Sequence, residues 1–381
     1  MSSFLRKLAA AAILSVGVAI LAWVIHDTDN AGNKDFTSYW AAGQLLVHGS
    51  NPYNAADVLR LEKSVGFRPD HPLIMRNPPY ALLLALPLGL VGAKTGTVLW
   101  SLLLVGAIGL SVRILWADNG RPHDLHLFGY MFAPALACLR MGQTAAFILL
   151  GLVLFLRWYK QRPLAAGACL VLLAIKPHLF LPLGLILLLW ILLSRRYQIA
   201  LGAVLAMAAA LAVPMLLDHT LWSDYRPVLA DASAESQLMP TVSSLFRLIV
   251  SPHATWLQFL PALAGCIWAL FYFYRHRADW EWNEHGLTLL VVSVMVAPYA
   301  WLADEIVVLP AMLLAIFRCA AAGRSFAGFL VLNGIALAAM LFAGVPQDSG
   351  FYVWTPVAWT AWYVWARSRT RSAALCASPV A

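Results

Sequence analysis

The sequence predicts an all-α polytopic membrane protein of about twelve transmembrane helices, and three observations predict it. The chain of 381 residues is 61% hydrophobic and 12% charged, with a mean hydropathy of +0.74, far from the balance of a soluble globular domain. Apolar runs such as Leu8 to Ile25, Leu179 to Leu193, Ile199 to Leu217, Leu257 to Tyr274 and Phe326 to Ala343 each approach the length a helix needs to cross about 30 Å of hydrocarbon. Backbone polar groups inside lipid must be satisfied within their own segment, so these runs are helices. The third observation is the placement of charge, taken up below.

The spans fall near 8–26, 80–93, 97–116, 127–157, 163–175, 179–193, 198–217, 256–274, 286–300, 304–318, 325–343 and 352–366. Arg6 and Lys7 precede the first, but no small-x-small cleavage pattern stands before His26, Asp27 and Thr28, so it reads as a retained helix. Spans 80–93, 163–175 and 304–318 are short for a crossing, and 127–157 is too long and interrupted at Arg140-Met141-Gly142-Gln143. Short or broken helices are tolerated at membrane depth where they line a cavity. The whole chain, 1–381, reads as one integral-membrane domain.

With the N-terminus in the cytoplasm, fifteen of the twenty-six basic residues fall in short cytoplasmic stretches and helix ends, among them Arg6, Lys7, Arg157, Lys160, Arg162, Arg195, Arg196, Arg275, Arg277, Arg367 and Arg371. The same stretches hold three acids, Asp279, Glu281 and Glu284. This positive-inside pattern places the loops 27–79 and 218–255 outside and the tail 368–381 in the cytoplasm. A formal charge of +8 distributed in this way points to a cell (inner) membrane and its lipids, not to nucleic acid. Five cysteines, at 138, 169, 266, 319 and 376, are scattered singly and give no disulfide or metal pattern.

The polar, aromatic-rich stretch from Asp35 to Tyr80 is where the chemistry is expected. Ser38 to Leu46 and Ala55 to Val65 carry apolar residues at helical spacing and read as two short amphipathic helices at the membrane surface. Asp35 stands just before the first of these, where a carboxylate serves either as a general base for a hydroxyl acceptor or as a helix N-cap. The prolines of Asn77-Pro78-Pro79-Tyr80 make a rigid lead-in to the second span.

The pattern D-x-x-x-Y-W-x-A-G-x-L-L-x-x-G-x-N-P-Y from Asp35, followed by R-N-P-P-Y at 76–80, G-Q-T at 142–144 and I-K-P-H-L at 175–179, resembles glycosyltransferase family 87. The likeness runs over most of the first 200 residues. It implies a multi-span type C glycosyltransferase that uses a polyprenyl-phosphate sugar, often as an α-mannosyltransferase. The family's proposed catalytic aspartate falls on Asp35. Tyr39 and Trp40 would wall the sugar, since aromatic faces pack on the apolar faces of sugars; the alternative is a surface helix anchored by interfacial aromatics.

Arg76, Arg140 and Lys176 are candidates for the donor phosphate, each at the end of a short or broken span. Lys176 is the most telling, because an ionisable residue within apolar sequence is expensive and by default functional; its alternative is a lysine snorkelling to the interface. Asn77, Tyr80, Gln143 and His178 complete the substrate-binding set carried by the matching motifs. Asp304 and Glu305 join it where many family members have histidines, a departure that puts a histidine role there in doubt; their alternative is an exposed acidic turn.

The function expected is transfer of a hexose, with mannose favoured, from a polyprenyl phosphate to a lipid or glycan acceptor on the extracytoplasmic face, by inverting displacement with an Asp base. No cofactor and no metal is expected. The alternatives are a transporter or flippase of a lipid-linked sugar, for which two related halves would be the cue, and an O-antigen-ligase-like enzyme, whose main external loop would come late in the chain.

Overall fold

A computed structural model describes residues 35–118, 124–230, 239–319 and 323–377. The first span, 8–26, lies outside them. The described residues form sixteen α-helices with short 3-10 segments and no strand. Three helical stretches are long and apolar enough to cross a membrane, Ala93–Ala117, Tyr197–Leu217 and Thr255–Asp279, or four if Pro163–Leu173 and Pro177–Leu193 form one broken span. The all-α membrane character is therefore as expected, and among the described residues three or four stretches have full crossing length. Leu99, Leu102, Leu103, Leu201, Val204, Leu205, Ile267 and Phe271 on these three are exposed, as lipid-facing residues are.

The chain divides into two compact units. The first comprises Met1–Leu110, Cys138–Lys176 and Tyr197–Ala234. It contains α1 (Phe36–Val47), α2 (Ala55–Ser64), α3 (Leu82–Ala85) and the start of α4 (Ala93–Asp118). The end of α5 (Ala133–Met141), α6 (Ala145–Trp158), α7 (Pro163–Leu173), α9 (Tyr197–Leu217) and α10 (Leu221–Ala230) complete it. Glycines let its backbones touch. A Cβ on Gly167 would strike the carbonyl of Ile199, and one on Gly202 that of Leu164, so α7 and α9 pack at backbone contact, the small-residue packing that holds helices together where lipid supplies no hydrophobic drive.

Helix α1 corrects an expectation. It is not a surface amphipathic helix: ten of its twelve residues are buried. Gly43 and Gly89 bring it into backbone contact with the 3-10 stretch Leu86–Leu90, and the side chains of Trp40 and Gln44 both donate to the Val91 carbonyl at 3.0 Å. With so little polar side chain of its own, the helix is more stable enclosed than at an interface. Helix α2 is amphipathic as expected, with Val58 and Glu62 turned inward.

The second unit comprises Ser111–Ala137, Pro177–Arg196 and Glu235–Ala381. It holds α8 (Leu181–Leu193), α11 (Val242–Val250), α12 (Leu260–His276), α13 (Leu287–Met295), α14 (Leu309–Cys319), α15 (Gly323–Leu341) and α16 (Thr355–Ala377). Phe132, Phe329 and Trp359 form its aromatic centre, with ring centroids 5.2 to 6.2 Å apart. The side chain of Asn333 accepts from the amide of Ala133 at 2.8 Å and donates to the carbonyl of Met131 at 2.9 Å, satisfying backbone at the start of α5. Helix α16 runs through the segment 368–377 expected as tail.

Candidate active site

The interruption expected inside 127–157 is real, and it builds the site in the first unit. Helix α5 ends at Met141, α6 begins at Ala145, and Gly142 between them has a φ of +70°, a conformation glycine adopts without the penalty other residues meet. A Cβ there would also stand 3.0 Å from the Cβ of Phe36. Carbonyls left open where α5 stops are taken up in turn. The Asp35 amide donates to Met141 at 3.0 Å, the Trp100 indole to Gly142 at 2.7 Å and the Cys138 thiol to Gln143 at 3.2 Å. The break thus docks the start of α1 and leaves the Asp35 side chain beside that of Gln143.

Asp35 makes no side-chain cap on α1. Its Oδ2 instead accepts a hydrogen bond from Gln143 Nε2. Gln143 Oε1 accepts from Lys176 Nζ at 2.7 Å and from the Tyr39 hydroxyl at 3.4 Å. Lysine only donates, so the amide oxygen must face Lys176 and the NH2 must face the carboxylate, which fixes the orientation of the amide. Gln143 and Lys176 are both buried, at 6% and 8% exposure. The result is a carboxylate, an amide and an ammonium in series, with Tyr39 at the centre. Tyr39 lies 5.6 Å from the Trp100 ring, which meets Phe147 at 5.0 Å.

Lys176 is held from behind. Helix α7 ends at Leu173, and the carbonyls just beyond it are taken by side chains: Tyr80 Oη donates to Ala174 at 2.7 Å and Asn77 Nδ2 to Ile175 at 3.2 Å. Asn77 and Tyr80 thus position the lysine's segment. Arg76 is exposed, and its carbonyl accepts from the Tyr225 hydroxyl at 2.8 Å, which ties the lead-in to α10. Trp40 belongs elsewhere: one residue on from Tyr39 it points to another face of α1 and bonds Val91. Arg140 lies in the last turn of α5 and is half-buried.

The remaining candidates sit in the second unit. His178 packs edge-on against Tyr299 at 5.8 Å. Asp304 and Glu305 are not an exposed acidic turn; each is 1% exposed. Asp304 accepts from the Trp301 amide at 3.1 Å, and Glu305 accepts from Thr355 at 2.7 Å and from the Trp359 indole at 2.8 Å. A buried carboxylate with two donors locks α16 onto this turn.

Sequence reasoning missed Trp100, which reads as one more apolar residue of a span, and Arg247, 1% exposed on α11. A signal existed for the second. Ser243, Ser244 and Arg247 share a helical face and are buried, while Leu245, Phe246, Ile249 and Val250 are exposed, so the polar face is the inner one.

The described residues are all-helical and of membrane character, with a half-buried carboxylate linked through an amide to a cation. The family model for glycosyltransferase family 87 matches residues 76–303, more than half of the 381, and the chain belongs to that family. It is a glycosyltransferase. No curated protein and no solved structure matches the chain. The matched region contains Gln143 and Lys176 and stops short of Asp35 on one side and of Asp304 and Glu305 on the other.

Proposed function

We propose that this glycosyltransferase moves a hexose, with mannose favoured, from a polyprenyl phosphate to a hydroxyl of a lipid or glycan acceptor on the extracytoplasmic face of the cell membrane. One observation carries the reading: the Asp35 carboxylate is not used to cap α1 and is linked through Gln143 to Lys176. Asp35 takes the proton of the acceptor hydroxyl as its oxygen bonds to the anomeric carbon, and the bond from that carbon to the phosphate oxygen breaks with inversion. The electron pair leaves with the lipid phosphate, whose growing charge Lys176 stabilises in a site of low dielectric. Gln143 links the two, donating to the Asp35 carboxylate and accepting from the Lys176 ammonium. Tyr39 and Trp100 supply the aromatic surface for the sugar.

A lipid-linked donor agrees with the architecture. Nucleotide sugars are usually held at the edge of a parallel sheet, and among the described residues there is no strand. The test is transfer by the purified protein from radiolabelled polyprenyl-phosphate-mannose and from other polyprenyl-phosphate hexoses, with a membrane lipid extract as acceptor and nucleotide sugars as comparison donors. Labelled product from the polyprenyl donor alone is expected; product formed directly from a nucleotide sugar would overturn the proposal.

A further inference from the structure

Helix α12 ends at His276, and the chain returns through Asp279 into a π-helical turn, Trp282–Gly286, that opens α13. This return is enclosed by aromatics and gathers three metal-ligating side chains. One ligand atom each from His276, Asp279 and His285 lies within 4.8 Å of the others. We propose that these three residues bind a divalent zinc ion, which clasps the end of α12 to the start of α13.

Four features of the loop support this. His285 is buried, and its Nδ1 lies 2.9 Å from the Tyr272 hydroxyl while its Nε2 lies 3.8 Å from Asp279 Oδ2. With Nδ1–H donating to Tyr272, Nε2 presents a lone pair toward a carboxylate, an arrangement that a cation between them satisfies. A hydrogen bond on the far ring nitrogen is what zinc-bound histidines commonly have. A tetrahedral site with ligand bonds of about 2 Å separates neighbouring ligand atoms by about 3.3 Å. A small rotation of Asp279, whose side chain is 72% exposed, closes the remaining gap.

His276 stacks on His285 at 4.6 Å, and Trp280 stacks on the other side at 5.2 Å, so the two imidazoles are already gathered. His276 also stands at the carbonyl end of α12, where the helix dipole favours positive charge. The π turn is the third feature, since single π turns recur at functional sites. It sends Glu284 the opposite way, to Arg318 at 2.9 Å and to Arg367 at 3.4 Å, which leaves His285 to the loop. Finally, the nearest cation in sequence, Arg277, packs its guanidinium on the Tyr274 ring at 4.8 Å. Two imidazoles and one carboxylate with an open fourth position suit zinc among the abundant divalent ions.

The test uses the full chain purified on a tag without histidines, stripped with a chelator and titrated with Zn2+ alone. The wild type should take up one zinc per chain and unfold at a higher temperature with zinc than without. Asp279→Asn, an exposed position whose replacement leaves packing intact, should unfold like the metal-free wild type and show no zinc-dependent rise. Tyr272→Phe should keep the site with affinity weakened about tenfold. Zinc uptake by wild type no greater than by Asp279→Asn, or an equal thermal shift in both, would overturn the proposal.

Discussion

Gln143 and Asp35 are joined by a side-chain hydrogen bond across 108 residues of sequence. The amide that holds the carboxylate also receives Lys176, so a carboxylate and an ammonium share one neutral mediator. Three separate stretches of chain meet there because α5 stops at a left-handed glycine and α7 stops one turn before the lysine.

Gly142→Ala should harm both stability and turnover. The left-handed backbone costs about 1–2 kcal/mol for an L side chain, and the new methyl would press on Phe36, the neighbour of Asp35. Gly106→Ala is the matched control, with open space around it within a helix. Thermal unfolding and turnover of the two variants should differ clearly; equal behaviour would mean that the α5–α6 break does not position the site.

Lys176→Met keeps much of the stem and removes the charge. If the ammonium holds the departing phosphate in a desolvated site, donor use should weaken by about 2 to 4 kcal/mol. The measurement is kcat/KM for the polyprenyl-phosphate donor, compared with Arg76→Met at the exposed lead-in, where a small effect is expected. Unchanged donor dependence would return Lys176 to an interfacial role.

Glu62 should make the loop between α1 and α3 sensitive to pH. Its side chain is fully buried, one oxygen accepts from the Leu73 amide at 3.0 Å, and the other has no hydrogen-bond partner. Burial pushes its carboxyl up to about 7, against the opposing pull of the Leu73 amide. The folded loop then holds more protons than the unfolded one between the ordinary carboxyl range and about pH 7, so its stability is full on the acid side and falls as pH rises through that window. Protease sensitivity of the loop should rise from about pH 5 to about pH 8, and Glu62→Gln, which keeps an acceptor for Leu73, should flatten the dependence. A loop equally resistant at both ends would contradict this.

The orientation proposed from the basic residues places Ser50 outside and Gln161 inside. Cysteines at these positions, in a protein without its native cysteines, should be labelled by an impermeant reagent in intact cells at the first position only. Equal labelling would refute the assignment.

Much of the site was legible in the sequence because its residues conflict with their surroundings. Lys176 stands out in apolar sequence, and Gly142-Gln143 interrupts a run too long for one span. What stayed hidden depended on direction in space. Tyr39 and Trp40 look equivalent in sequence, yet the step of one residue along α1 sends Tyr39 to Gln143 and Trp40 to Val91. The acids at 304 and 305 resemble a solvated turn, yet Asp304 turns back to the Trp301 amide and Glu305 to Thr355 and Trp359, and both are buried. Helix α1 was misread because its apolar spacing suits an interface as well as an interior; the Gly43 and Gly89 contact decided for the interior.

The account rests most heavily on Asp35 as the base, and Asp35→Asn tests it. Asparagine keeps the shape, and the structure shows no side-chain cap to be lost, so folding should be unaffected. Without a base for the acceptor proton, turnover of polyprenyl-phosphate-mannose should fall by roughly 10²-fold or more. A well-folded Asp35→Asn protein that transfers sugar at close to the wild-type rate would contradict the account.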